Sequence, residues 1–303
     1  MRRLRVGTRG SELALRQTRW VCERLRGVDR HIEIEEVIIR THGDLAANEP
    51  INEDWPMGGF VGAIEVALIE GRIDFAVHSY KDLPTVATGG LLMAAVPERE
   101  LPHDVLVTRE PVDFAAVPPG LRVGTSSPRR AAQLRQFLSP NIQAVPIRGN
   151  VPTRIVKVRQ GVVDAVVLAA AGLRRLGLSP AHAIDLPVEQ FVPAPAQGAL
   201  AVQARQRAEF LALLREVNDE ASERRVAAER SFLATVGPGC HTPVGALATI
   251  EGDRIRLHGQ LFESHEPTLE GRDLKWVEGE ELGSDPVVIG VALARRLIGA
   301  LKR

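Results

Sequence analysis

A lysine and an aspartate follow an apolar stretch in the segment DFAVHSYKDLPT. The apolar run predicts a buried strand, and Pro84 stops it soon after His78. Because ligands bind beyond the carboxyl ends of strands in α/β sheets, Lys81 and Asp82 are placed for proton transfer or for stabilising a cation. The alternative is a surface ion pair of little energetic value. We favour the functional interpretation, since the pair ends a buried strand.

The segment GPGCHTPVG contains Cys240, one of only two cysteines in the chain. Its glycines and prolines predict an exposed loop, where His241 could promote thiolate formation. A free cysteine is more often a small buried hydrophobe, and Cys22, inside a helical pattern, fits that description. A cysteine hydrolase remains an alternative, although no third residue that would orient the pair is evident. No second cysteine stands at metal-ligand spacing, so no metal is expected.

Two matched turns could bind anions. The letters LRVGT at 4–8 recur at 121–125, and each copy leads into a Ser/Arg turn and a helical pattern. Backbone N–H groups at a helix start, with hydroxyls and guanidinium groups, form an anion site. Serine caps with solvated arginines are the alternative, which the recurrence of the turn disfavours. The residues that flank the two turns are Arg9, Ser11, Ser126, Ser127, Arg129 and Arg130.

Further arginines stand at the ends of other predicted elements. In IRGNVPTRI, Asn150 can cap a helix whose start is bracketed by Arg148 and Arg154. In GLRRLGL, Arg175 comes just after a buried strand. The planar guanidinium matches a carboxylate or phosphate in two-point contacts. The pattern therefore predicts a ligand with several anionic groups.

The elements that must position these residues form a duplicated pattern. Apolar strands such as DAVVLAA alternate with helices, which predicts two α/β domains with mostly parallel sheets covered on both faces. In both halves a glycine stands three residues before an aspartate that opens a strand, at Asp74 and Asp164. A long helix, a hairpin with its turn at 251–253 and a closing helix at about 285–301 predict a third, smaller α+β domain.

Composition excludes several classes of protein. The 303 residues include 38 basic and 38 acidic side chains and only 4% aromatic ones, which argues against a nucleic-acid partner. Glycine-rich nucleotide motifs are missing. No apolar run is long enough to span a bilayer, and the N-terminal segment does not resemble a secretory leader. With two cysteines, this favours a cytoplasmic protein with free thiols and no membrane partner.

A series of segments, in order along nearly the whole chain, resembles the porphobilinogen deaminase (hydroxymethylbilane synthase) family. The segments are VGTRGSELALRQT, THGD, AVHSYKDLPT, VGTSSPRRAAQL, IRGNVPTRI, LAAAGLRRLGL, PAQGALAVQAR and AAERSFLATVGPGCHTPVGA. The resemblance implies a transferase of tetrapyrrole (haem) biosynthesis. Four porphobilinogen molecules would lose ammonia and join head to tail on a covalent dipyrromethane primer, and hydrolysis would release hydroxymethylbilane.

The resemblance also implies roles for residues. Cys240 would carry the dipyrromethane cofactor through a thioether, and Asp82 would hold pyrrole N–H groups and stabilise the cationic intermediate left when ammonia departs. The residues expected to bind cofactor and substrate carboxylates are Arg9, Ser11, Lys81, Ser127, Arg129, Arg130, Arg148, Arg154 and Arg175. Further candidates for the cleft are Gln17, Ser79, Thr125 and Gln197.

The fold that the resemblance implies is α/β, with two periplasmic-binding-protein-like domains and a smaller C-terminal α+β domain. Domain 1 would comprise 1–98 and 193–215, domain 2 would comprise 99–192, and domain 3 would comprise 216–303 and carry Cys240. Members of the family are usually monomers.

The chain departs from the family's pattern in the loop LAANEPINEDWPMGGF, where Met57 stands in place of the usual lysine. Just before this loop, His42 stands where the family commonly has an arginine. We expect this loop to act as a lid whose closure matters more than its charge. A non-catalytic receptor for a polycarboxylate remains the main alternative, although a receptor would need neither Asp82 nor Cys240.

Overall fold

The computed structural model describes residues 2–40, 61–114, 116–237, 243–263 and 274–303. The chain divides into two compact units. The first comprises Met1–Glu100 and Gly198–Arg224, and the second comprises Leu101–Gln197 and Arg225–Arg303. Among the described residues, no helix has both the length and the apolar character needed to cross a membrane.

Strands and helices are numbered along the chain. The strands are β1 (Arg2–Thr8), β2 (Ile32–Ile38), β3 (Phe75–Ser79), β4 (Leu91–Ala95), β5 (Asp104–Thr108), β6 (Arg122–Gly124), β7 (Gln143–Val145), β8 (Ala165–Ala169), β9 (Ala183–Asp185), β10 (Leu200–Arg205), β11 (Val244–Glu251), β12 (Arg254–Phe262) and β13 (Trp276–Gly283). The helices are α1 (Glu12–Val28), α2 (Gly62–Ile69), α3 (Pro128–Gln133), α4 (Val151–Arg159), α5 (Ala170–Leu176), α6 (Leu211–Arg215), α7 (Glu220–Val236) and α8 (Pro286–Leu301).

The first unit is built on a sheet in the order β2-β1-β3-β10-β4. Helices cover both of its faces, because successive residues of a strand point to opposite sides. Phe75 and Val77 of β3 pack in the same core as Val21 and Leu25 of α1. Ala76, which lies between them, packs in a second core with α2. The end of β3 is therefore held from both sides.

The second unit contains a sheet with the matching order β7-β6-β8-β5-β9. In each sheet the two pairs around β1 or β6 are parallel, and the two pairs around β10 or β5 are antiparallel. The prediction of mostly parallel sheets is therefore wrong. Continuous apolar strands indicate burial on both faces, and they carry no information on strand direction.

One salt bridge is repeated in the two sheets. The backbone N–H and the side-chain Nε of Arg5 donate to Asp74 Oδ2 over 2.7 and 3.1 Å. The same two groups of Arg122 donate to Asp164 Oδ2 over 3.0 and 3.1 Å. The repeated sequence pattern thus corresponds to a repeated contact between an arginine of one parallel strand and the aspartate just before its neighbour.

The third sheet has the antiparallel order β11-β12-β13 and belongs to the second unit. A two-residue turn connects β11 to β12, with Gly252 in the left-handed region at φ +63°. Phe232 of α7 and Leu293 of α8 are buried in the core of this sheet. The two α/β sheets and the smaller sheet with its helices confirm the predicted fold class, whereas the three predicted domain limits remain predictions.

Side chains connect the third sheet to the second. Gln133 Nε2 donates to Gln260 Oε1 over 2.8 Å. The Phe137 ring lies edge-on to Trp276, with ring centroids 5.1 Å apart. In a chain with few aromatic residues, these contacts explain why the two sheets form one compact unit.

Helices α7 and α8 approach closely at Gly290. A Cβ atom added there would lie 2.7 Å from the Ala228 carbonyl oxygen and 2.8 Å from the Phe232 nitrogen. Because backbone atoms cannot move aside easily, we expect Gly290→Ala to lower the free energy of unfolding by about 1–3 kcal/mol. Denaturant unfolding of the purified variant measures this.

Gly299→Ala is the matched control on the same helix, since no atom lies within 4 Å of its added Cβ. Alanine's higher helix propensity should raise the free energy of unfolding by up to about 1 kcal/mol. Equal effects of the two substitutions would contradict the close packing at Gly290.

Candidate functional site

The turn after β6 is shaped by its own hydroxyl groups. Ser127 is the N-cap of α3, and its Oγ accepts a hydrogen bond from the Arg130 backbone N–H over 3.4 Å. Thr125 Oγ1 accepts from the Ser127 N–H over 3.1 Å. Pro128 opens the helix, where a missing N–H costs nothing. The cap interpretation of Ser127 is therefore correct locally, and the cap directs the two following arginines.

Those arginines are buried around one carboxylate. Arg129 Nη2 donates to Asp104 Oδ2 over 2.8 Å, and Arg130 Nη2 donates to Asp104 Oδ1 over 2.6 Å. The three residues are 5%, 9% and 1% exposed, respectively. Burial alone would raise the pKa of Asp104, but the two guanidinium groups outweigh it and hold this pKa well below its usual value.

A second cationic turn lies in the same unit. Asn150 Oδ1 caps α4 by accepting from the Thr153 N–H over 2.9 Å. Arg154 Nε donates to the carbonyl oxygen of Gly149, which has a φ of +111°. Burial and the positive charge of Arg130 lower the pKa of Arg154. Two arginines predicted to bind carboxylates are thus close enough to repel each other.

The Ser126 side chain connects the two turns by hydrogen bonds to the backbone of Ile147. Ser126 Oγ donates to the Ile147 carbonyl over 2.9 Å and accepts from the Ile147 N–H over 3.1 Å. Arg148, the next residue, is half-buried, and its carbonyl accepts from Lys157 Nζ over 3.1 Å. The geometry of one cationic turn is therefore coupled to that of the other.

Gln197 and Arg175 complete the predicted set in this unit. Gln197 is fully buried, and its Nε2 donates to Asp104 Oδ1 over 2.9 Å and to the Pro102 carbonyl over 2.7 Å. Its amide therefore supports the carboxylate that holds the arginines. Arg175 lies half-buried in the last turn of α5, which ends at Gly177 in the left-handed region.

The first unit repeats the capped turn. Ser11 Oγ accepts from the Ala14 N–H over 3.3 Å and caps α1, with Arg9 two residues before it. Gln17, on α1, donates from Nε2 to Ser79 Oγ at the end of β3 over 3.0 Å. The predicted candidates Gln17 and Ser79 are thus brought together.

Lys81 and Asp82 belong to a single 3₁₀ turn, Tyr80–Asp82, that follows β3 directly. The Tyr80 N–H donates to the Ala199 carbonyl over 3.0 Å, which fixes the turn to the strand beside it. Lys81 is half-buried and Asp82 is exposed. The turn therefore holds an accessible carboxylate at the carboxyl end of a buried strand, as the sequence predicted.

His78 precedes this turn as a buried neutral base. It is only 7% exposed, and burial lowers its pKa to about 4. Nearby, Gln203 Nε2 and Thr88 Oγ1 donate to the two oxygens of Glu65 over 2.9 and 2.8 Å. The Glu65 carboxylate favours a charged His78, but burial outweighs this attraction, so the charged form is costly at this position.

The two cysteines differ in what can be said of them. Cys240 lies outside the described residues, as does the loop predicted to form a lid. Cys22 is buried in the core of the first unit, and burial raises its pKa to about 12. Its thiol is therefore unreactive, which agrees with its assignment as a packing residue.

Sequence reasoning missed Asp104 and Gln133 as parts of the site. Gln133 Oε1 accepts from Arg129 Nη1 over 2.8 Å, and its Nε2 donates to the Val192 carbonyl over 2.8 Å. A signal for Asp104 existed, because an aspartate opens the otherwise apolar strand DVLVT. Nothing in the sequence indicates which arginine such an aspartate contacts.

The donor set in the second unit suits an organic polycarboxylate. Arg130 Nε is buried and has no hydrogen-bond partner among the described residues. Arg129 and Arg130 carry two positive charges against the one carboxylate of Asp104, and Arg154 adds a third positive charge close to Arg130. Carboxylates bind favourably to clustered guanidinium groups that have unused N–H donors.

Comparison with known proteins identifies the family. The family model "Porphobilinogen deaminase, dipyromethane cofactor binding domain" matches residues 4–212, and the model "Porphobilinogen deaminase, C-terminal domain" matches residues 224–299. The chain belongs to the porphobilinogen deaminase family. The resemblance that the sequence motifs indicated is confirmed, and with it the enzyme class, a transferase of tetrapyrrole biosynthesis that uses a dipyrromethane cofactor.

Curated relatives of the family match along nearly their whole length. The porphobilinogen deaminase of Roseiflexus sp. (strain RS-1) is 45% identical over 296 residues, which are 97% of this chain and 95% of the relative. That of Syntrophus aciditrophicus (strain SB) is 42% identical over 298 residues, which are 97% of this chain and 95% of the relative. Among solved structures, the methionine-binding protein MetQ is similar, with 13% sequence identity and a TM-score of 0.44. The match covers 75% of this chain and 94% of the MetQ chain.

The buried state of His78 makes stability depend on pH. The pKa of a histidine in the unfolded chain is about 6.5, so between that pH and about 4 the unfolded chain binds the extra proton and the folded one does not. We therefore expect acidification from about pH 7 to about pH 5 to cost about 2 kcal/mol of unfolding free energy through His78. Urea unfolding at both pH values, for the parent and for His78→Gln, measures this contribution.

The exposed His31 supplies the control, because its side chain lies in solvent. His31→Gln should lose as much stability on acidification as the parent does, whereas His78→Gln should lose less. The same acid-induced loss in all three proteins would rule out this role of His78.

Proposed function

We propose that the chain deaminates porphobilinogen and joins four molecules head to tail on a dipyrromethane primer attached to Cys240. Hydrolysis then releases hydroxymethylbilane, and each addition releases ammonia. The observation that carries the proposal is the pair of buried arginines Arg129 and Arg130 with the half-buried Arg154 close by, all within the range matched by the cofactor-binding domain. Such a cluster is expected where pyrrole carboxylates must be neutralised.

Recognition rests on the carboxylates of the pyrroles. Each pyrrole unit bears an acetate and a propionate, so a growing chain presents many anionic groups of the kind that a guanidinium binds in two-point contacts. The residues proposed to bind them are Arg9, Ser11, Lys81, Ser127, Arg129, Arg130, Arg148, Arg154 and Arg175. Further proposed members of the site are Gln17, Ser79, Thr125 and Gln197.

Asp82 is the proposed catalytic residue. Its accessible carboxylate follows a buried strand, in a turn fixed to the neighbouring strand by the Tyr80 N–H. A carboxylate held in this way can accept hydrogen bonds from pyrrole N–H groups and stabilise the positive charge that develops as ammonia leaves. Lys81, which precedes Asp82 in the same turn, supplies a cation for a substrate carboxylate.

The cofactor supplies a covalent primer that remains on the enzyme through successive turnovers. Cys240 is proposed as its attachment residue, since the described Cys22 is buried and its thiol is hardly ionised. We further propose that the enzyme works as a cytoplasmic monomer without a nucleic-acid partner.

The intact mass of the purified protein tests the attachment. We expect an excess corresponding to one dipyrromethane, and we expect Cys240→Ser to abolish it because a serine hydroxyl is a far weaker nucleophile than a thiolate. Cys22→Ser is the matched control and should keep the excess mass. An unmodified mass in an active enzyme would refute the proposal, and loss of the excess in both variants would refute the assignment to Cys240.

Asp82→Asn tests the catalytic role while preserving shape. We expect kcat to fall by about 10²-fold or more, since the amide cannot stabilise a developing positive charge. The cofactor-loaded variant should unfold within about 0.5 kcal/mol of the parent, because the side chain is exposed. Single-turnover assays with porphobilinogen and denaturant unfolding measure the two quantities.

Asp113→Asn provides the comparison, as Asp113 is also an exposed aspartate but lies away from the predicted site residues in the sequence. It should leave kcat unchanged. If Asp82→Asn keeps more than about half of the parent kcat, Asp82 has no role in charge stabilisation.

A further inference from the structure

Asp104 is a deeply buried charged side chain beside the cationic turns. It opens β5, and its carboxylate contacts three side chains from two other parts of the chain. Oδ2 accepts from Arg129, and Oδ1 accepts from Arg130 and from Gln197. One carboxylate thus organises two residues of α3 and one residue of the segment before β10.

The charges around this carboxylate do not balance. Two buried guanidinium groups and one carboxylate leave a net charge of one positive unit. Burial and the second guanidinium lower the pKa of Arg129, and the positive charge of Arg130 also lowers the pKa of Arg154. An unbalanced buried charge is costly unless a counter-ion reaches it.

The other contacts of the two arginines fix their orientation. Arg129 Nη1 donates to Gln133 Oε1 and to the Val192 carbonyl, so this end of the guanidinium is fully engaged. Arg130 Nη1 donates to the Val167 carbonyl over 3.0 Å. Arg130 Nε remains as a buried donor with no partner in the described part of the chain.

We propose that Asp104 is a positioning residue for the reaction. Its carboxylate holds Arg129 and Arg130 side by side, neutralises only one of their two charges, and leaves the other for a carboxylate of the cofactor or substrate. Gln197 assists by fixing Oδ1. This inference rests on the proposed function, because it supposes that these arginines bind pyrrole carboxylates.

Asp104→Glu and Asp104→Asn test the role in the complete chain. Glutamate keeps the charge but displaces the carboxylate by one carbon–carbon bond, and asparagine keeps the shape but removes the charge. In folded protein, we expect the loaded fraction, measured by intact mass, to fall at least about twofold. We expect the loaded remainder to show a KM for porphobilinogen raised about tenfold or more, with a smaller change in kcat.

Asp164→Glu and Asp164→Asn are the matched controls. Asp164 also pairs with an arginine of the second unit, over 2.8 Å to Arg122, but that arginine is not among the predicted ligands. These variants should lose stability while keeping full loading and a KM within about twofold of the parent value. Circular dichroism and thermal unfolding identify which variants are folded.

The outcomes separate the two proposals. Absence of the cofactor mass from the parent enzyme would refute the proposed function itself. Full loading and an unchanged KM in folded Asp104 variants would overturn only the positioning role. Failure of both Asp104 variants to fold would also overturn it, because Asp104 would then serve the fold alone.

Discussion

Burial of two positive charges at Arg129 and Arg130 is the physical constraint on which the cationic turns of the second unit depend. A guanidinium removed from water needs partners for its N–H groups and a counter-charge nearby, or the fold loses several kcal/mol, on the order of 3–5 for a broken buried pair. Asp104 provides that counter-charge for Arg129 and Arg130 through two hydrogen bonds. The carbonyl oxygens of Val192 and Val167 accept further hydrogen bonds from Arg129 and Arg130, respectively. The arginines can therefore be held rigid before a ligand arrives, which reduces the entropy lost on binding.

The scaffold supplies this arrangement twice, but with different chemistry. Both sheets have the same strand order and the same salt bridge at the base, Arg5 with Asp74 and Arg122 with Asp164. In each unit a capped helix follows the equivalent strand. The first unit then adds an accessible Lys-Asp turn at the end of β3, and the second adds buried arginines. A duplicated fold thus allows one copy to expose a carboxylate at the end of a strand and the other to bury two arginines beside the equivalent turn.

Local signals predicted much of the site because they depend on neighbours in sequence. Asn150, two residues before Pro152, gave a correct cap. Ser11 and Ser127 are also caps, although the repeated turn had disfavoured that interpretation. The role of Asp104 could not be predicted in this way, because its partners Arg129, Arg130 and Gln197 lie 25, 26 and 93 residues away in the sequence. Strand direction failed for a related reason, since apolar runs report burial only. The predictions for Cys240 and for the loop at 41–60 lie outside the described residues.

The uneven charge balance suggests why the arginine cluster has not been replaced by a more stable arrangement. A second buried carboxylate beside Arg130 would neutralise the cluster and satisfy its free Nε donor. It would also repel the carboxylates of any pyrrole, because like charges in a poorly solvated site interact strongly. The missing counter-charge is therefore best understood as belonging to the ligand. On this argument the fold gives up part of its stability at Asp104, Arg129 and Arg130 in order to bind an anion there, which is the trade-off expected at functional sites.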